Sequence, residues 1–186
     1  KETAFDVKGG PIWLSTLGIK EGDFGLFDVQ RAALSMNAKV TLSADHKQVR
    51  VDGDGRVTSV SLKSKALSDE PIAGIDLAWR AKASVALDKR RLEVEEGEVD
   101  VGQIRLLGAG TYERSGDDHK VRATIDMPLV GCQAALDSLP KGLVARIAGM
   151  RMAGTFALKG KAAFDTARID RDFQVSWDTA VSCRVT

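Results

Sequence analysis

Five carboxylates crowd the stretch from Glu93 to Asp100: Glu93, Glu95, Glu96, Glu98 and Asp100. Paired carboxylates can act as acid and base, or cleave a glycosidic bond, so a carbohydrate-active domain built on Glu95 and Glu96 is one chemistry this run would allow. Here they alternate with Val94, Val99 and Val101. That is how a solvated strand face reads, with the run crossing a turn. Asp52-Gly53-Asp54-Gly55 resembles the opening of a calcium loop, but Arg56, Val57 and Val60 follow where oxygen ligands are needed. Turn chemistry predicts a hairpin there instead. His46 and His119 lie among turn-forming residues, and no nucleophile or acid stands at a spacing that would orient either one. No GxSxG elbow occurs, and Gly108-Ala109-Gly110 lacks the strand–turn–helix setting of a phosphate loop. The expectation is a non-enzymatic chain with no catalytic residues, no metal and no cofactor.

The two cysteines, Cys132 and Cys183, allow two readings. Free cysteines behave as small apolar residues and could simply be buried. A bond between them would tie the segment after Pro128 to the last strand, and in the chain-entropy model a loop of that size contributes roughly 4 kcal/mol. Neither has metal or redox spacing, and an even pair in a strand-rich chain suits an oxidising compartment. A disulfide is the sharper expectation.

The elements that carry these residues follow a period of two. Leu77, Trp79, Ala81, Ala83, Val85 and Leu87 alternate with Arg80, Lys82 and Ser84, and Val121 to Leu129 and Phe156 to Phe164 repeat the pattern. The grammar occurs three times, in Ala38–Leu62, Ala81–Leu106 and Gly154–Trp177, as alternating runs separated by charged turns. Turn clusters at Glu21-Gly22-Asp23 and Ser115-Gly116-Asp117-Asp118 fit hairpins. One segment departs from this. Gln133–Leu139 and Leu143–Ala148 favour helix around Pro140-Lys141-Gly142, with an amphipathic stripe through Leu136, Leu139 and Val144. The expected fold is mainly β: a curved antiparallel sheet, or a two-layer β-groove or sandwich, of repeated strand units with a short helical cap over 132–148. One domain spans 1–186, with sheet units at 1–75 and 76–130, the helical insertion at 131–149 and returning strands at 150–186.

Composition narrows the partners. The 186 residues carry 27 basic and 26 acidic side chains, a formal charge of +1. That balance gives no footprint for nucleic acid or an anionic membrane surface. No apolar run is long enough to cross a bilayer as a helix. The start at Lys1, without a signal segment, predicts a piece of something longer.

From Ile75 to Trp177 the chain resembles the AsmA-like family of Gram-negative envelope proteins, which includes the TamB type. The resemblance lies in the strand pairs around Leu87-Asp88-Lys89, in Glu98-Val-Asp-Val-Gly-Gln-Ile-Arg-Leu-Leu-Gly-Ala-Gly-Thr111 and in Ile125-Asp-Met-Pro-Leu129. The helical stretch to Ile147 and the strand opening at Met152-Ala-Gly-Thr-Phe156 complete it. Cys132–Pro140, Ala148–Thr155 and Ser182-Cys183-Arg184 are also similar to accessory regions beside a peptidoglycan glycosyltransferase domain, whose own EDxxF-type motifs are absent from this chain. The resemblance implies a periplasmic module tethered through regions outside this chain. Its partners would be other domains of the same polypeptide, lipid acyl chains or peptidoglycan-synthesis partners. It also implies a β-groove, lined by Leu77, Trp79, Val85, Leu87, Ile125, Met127, Phe156 and Leu158. Trp13, Trp177 and Tyr112 are further aromatic candidates beside Trp79, although residues of this kind in alternating strands more often form core. The leading expectation is a non-enzymatic periplasmic scaffold or accessory domain of a larger membrane-anchored envelope protein. The alternative is a lipid- or hydrophobe-binding groove serving envelope lipid transport or outer-membrane assembly.

Overall fold

The computed structural model describes residues 1–63, 72–140, 149–165 and 174–186. Most of them belong to strands: β1 (Thr3–Trp13), β2 (Leu26–Phe27), β3 (Ala33–Leu42), β4 (Gln48–Leu62), β5 (Ile72–Ala86), β6 (Arg91–Val101), β7 (Ile104–Ser115) and β8 (Asp118–Gly131). A helix, α1 (Cys132–Ser138), and β9 (Met152–Ala153), β10 (Thr155–Asp165), β11 (Gln174–Val181) and β12 (Arg184–Val185) follow. Ten strands form one antiparallel sheet in the order β1-β3-β4-β5-β6-β7-β8-β10-β11, with β2 joined to β4. The short pair β12-β9 stands apart from it. Among the described residues the sheet has two open edges, β1 and β11, and does not close into a barrel.

Among the described residues the chain is mainly β and antiparallel as the alternation predicts, and of the two expected arrangements it takes the antiparallel sheet rather than the two-layer sandwich. The ladder passes from β4 into β5 and from β8 into β10, so the sequence units at 1–75, 76–130 and 150–186 all feed the same sheet. Of the helical cap, α1 covers 132–138, and the expected second part at 143–148 lies outside the described residues.

Two expected turns are strand. Asp52-Gly53-Asp54-Gly55 lies in the middle of β4, paired residue by residue with β3 and β5. The glycines are there for close packing rather than for turning. A Cβ at Gly53 would come within 2.8 Å of the Ala38 Cβ, and one at Gly55 within 2.8 Å of the Trp79 indole Nε1. The acidic run likewise belongs to the single strand β6, where Glu95-Glu96 form a bulge and not a turn. His119 is no loop residue either. It sits half-buried in β8, with its Nδ1 2.8 Å from the Tyr112 hydroxyl and the two rings stacked.

The core is gathered at one end of the strands, where β6 turns into β7. The chain between β1 and β3, with 3₁₀ turns at Leu14–Leu17 and Asp23–Gly25, folds over that end. It buries Leu14, Ala32 and Val60 together, against Leu34, Val57, Ile75 and Leu77. Ile72 is 1% exposed and is the largest fully buried side chain. Farther along the same end, Ser138 of α1 accepts the Gln103 backbone N–H at 2.7 Å, fixing the helix to the β6–β7 turn. Cys132 and Cys183 are disulfide-bonded, with Cα atoms 5.8 Å apart, and so anchor α1 to the chain after β11. A disulfide is what an oxidising, extracytoplasmic setting preserves.

Candidate functional site: two unlike faces of one sheet

Register sorts the side chains of the long strands into two sets, because neighbours along a strand point to opposite faces. One face is apolar from edge to edge. Val7 pairs with Ala38, Gly53 with Ala81, Val51 with Ala83, Val94 with Gly110, Ile125 with Gly160, and Gly160 with Trp177. Away from the capped end no second layer covers this face among the described residues. Phe5 is 54% exposed, Ile125 39% and Trp177 59%. Glycines line the same face, and large rings lie across two of them: the Trp79 indole over Gly55 and the Trp177 indole against Gly160. An aromatic laid over a strand glycine covers backbone that would otherwise be bare.

The residues expected to line a groove fall on this face but play different parts. Trp79, Val85, Ile125, Phe156 and Leu158 lie on its strands. Leu77 packs against the Leu14–Ala32–Val60 cluster, and Met127 is 6% exposed, so both contribute to the covered end. Leu87 lies in the β5–β6 turn, 52% exposed, with its N–H donated to the Lys47 carbonyl. Of the other aromatics, Trp177 and Tyr112 share the apolar face, whereas Trp13, paired with Ala33, lies on the opposite one.

That opposite face is polar and is cross-linked by charge. Lys82 meets Glu96 at 2.9 Å, Arg80 meets Glu98 at 3.7 Å, and Lys159 meets Asp126 at 3.5 Å. Arg105 contacts both Asp100 at 3.0 Å and Glu98 at 3.2 Å, and Arg91 contacts Glu93 at 3.1 Å. Four of the five carboxylates of β6 are therefore ion-paired. The hydrogen bond from Lys82 to Glu96, reinforced by that carboxylate's charge, raises the lysine's pKa above its ordinary range. The hydrogen bond to Asp100 does the same for Arg105. Both cations are exposed, and such pairs give a surface strand its alignment rather than much stability.

Two adjoining concavities, of about 870 and 940 Å³, lie along β7. Sequence reasoning missed them, because curvature and the β6 bulge depend on how three strands meet. No cluster of three or more metal-ligating side chains occurs among the described residues. No described helix is long and apolar enough to cross a membrane. No family model, curated protein or solved structure matches the chain.

Proposed function

We propose that this chain is a non-enzymatic β-sheet module of an extracytoplasmic protein of the envelope, similar to the AsmA-like kind, whose open apolar face takes acyl chains or another extended hydrophobe. The observation that carries this reading is the edge-to-edge apolar register from Val7 to Trp177, left uncovered beyond the capped end. Apolar surface in water costs about 25 cal/mol per Å², so a face of this extent favours any extended hydrophobe that covers it. Single exposed apolar residues are ordinary on a protein surface, but a contiguous apolar face marks a contact.

A second reading, a scaffold for other domains of the same polypeptide, draws support from β11. All eight of its residues are exposed, and its free backbone groups are available to a further strand. Titration with cis-parinaric acid, which fluoresces when sheltered from water, distinguishes the two. The hydrophobe reading expects saturable binding, at least ten-fold weaker in Ile125→Glu and unchanged in Asn37→Glu on the polar face. Absence of saturable binding to the unaltered chain would leave the scaffold.

A further inference from the structure

A row of alternating charge crosses the polar face and stops at an edge. Glu96 of β6 stands beside Lys82 of β5, Lys82 beside Asp52 of β4, Asp52 beside Lys39 of β3, and Lys39 beside Asp6 of β1. The sign changes at every step, and opposite charges directly across from one another favour the pairing of their strands. Beyond Asp6 the next strand position is open, because β1 is an edge of the sheet among the described residues. A strand that continued the alternation there would bring a cation.

The edge strand carries such a cation itself. Asp6 and Lys8 flank Val7 and share the polar face, and every residue from Thr3 to Lys8 is exposed. The backbone is turned the right way as well. Along an antiparallel ladder, pairs that exchange hydrogen bonds alternate with pairs that do not. The Ser43 N–H donates to the Gln48 carbonyl at 2.9 Å, which turns the backbone groups of Thr41, Lys39 and Asn37 toward β4. Those of Val40, Ala38 and Met36 therefore face β1, where Phe5, Val7 and Gly9 meet them. Ala4, Asp6 and Lys8 are left with their N–H and C=O groups directed outward. The other edge differs, because β11 has Asp178 as its one charged residue and no cation to meet a copy of itself.

We propose that two copies of this chain pair antiparallel along β1, about a two-fold axis that passes through Val7 perpendicular to the sheet. Asp6 of each copy then meets Lys8 of the other, across the strands and through their outward backbone groups. Charge also fixes the register. The neighbouring registers that keep like faces together would set Asp6 against Asp6 or Lys8 against Lys8, which is destabilising. The axis leaves both apolar faces on one side, with Phe5 across from Gly9 of the second copy. Trp79 and Trp177 already lie over glycines in this way within the sheet. A lone charge on an edge strand keeps other strands away, whereas this pair of charges selects one self-complementary partner. Pro11 and the register shift between Gly9 and Ile12 lie beyond the central contact. The pairing is independent of what the apolar face binds.

The test is sedimentation velocity of the full chain over a wide range of concentration. A monomer–dimer equilibrium is expected, weakened at least about ten-fold by Asp6→Lys or by Lys8→Asp, each of which sets like charges opposite one another. The double variant Asp6→Lys/Lys8→Asp exchanges the signs and should recover association relative to either single variant. Thr179→Lys on β11 should leave the dimer unchanged. Circular dichroism of each variant checks the sheet. A chain that stays monomeric at every concentration would overturn the proposal, as would a dimer indifferent to both single variants or no recovery in the double variant. Loss of association in Thr179→Lys would place the second copy on β11 and overturn it too.

Discussion

The two ends of this sheet are built on different principles. At the end where β6 turns into β7, a folded-over loop, a helix and a disulfide surround Leu14, Val60, Ile72, Met127 and Cys132, all nearly inaccessible to water. Toward the turns at 43–47, 87–90 and 116–117 the same strands continue as a single layer, with one face apolar and open and the other laced with ion pairs. A single sheet layer has no interior of its own, so its stability must come from the capped end and from its backbone ladder. The open region is thereby left available for contact with something else. Buried core and open surface are segregated along the strands.

Breaking the capped end should have the largest effect. Replacing both Cys132 and Cys183 by serine releases a closure spanning 51 residues and is expected to cost about 4 kcal/mol, read by urea denaturation. The next comparison sharpens the contrast between the two ends directly. Ile72→Ala, at a site 1% exposed, should cost about 2–5 kcal/mol, whereas Ile125→Ala, at 39% exposure on the open face, should cost less than about 1 kcal/mol. Equal losses would mean that the two ends are not different after all.

Within the open region, Gly55→Val places methyl groups against Trp79 and the Ser35 backbone, and overpacking of that kind costs about 1–3 kcal/mol. The smallest effect belongs to the polar face. Lys82 titrates higher in the folded chain than in the unfolded one, so its contribution is full at neutral pH and fades as pH rises through the raised value, beyond about 10.4. Lys82→Gln should therefore lower stability slightly at pH 7 and match the unaltered chain at strongly alkaline pH, where the lysine's contribution is already lost, as pH-dependent denaturation would show.

Much of the fold was legible because alternation is local. The runs at Leu77–Leu87, Val121–Leu129 and Phe156–Phe164 could be read directly as half-buried strands, and with only two cysteines the bonded pair had a single possible partnering. What escaped was set by neighbours distant in sequence. Asp52-Gly53-Asp54-Gly55 has ideal turn composition, yet its glycines answer to Ala38 and Trp79 across the sheet. The Glu95-Glu96 bulge depends on the register with β5 and β7 at once. His119 was placed among loops because Asp117 and Asp118 precede it, although its partner, Tyr112, lies across the hairpin.

The central claim is that the apolar face, and not the polar one, takes an acyl chain. The three tryptophans report on it, because Trp79 and Trp177 lie on the apolar face and Trp13 on the other. Fluorescence quenching by a brominated fatty acid in single-tryptophan variants, with the other two tryptophans replaced by phenylalanine, measures which face the chain touches. Strong, saturable quenching of the Trp177-only protein with little quenching of the Trp13-only protein is the predicted result. Equal quenching of both, or of neither, would contradict it.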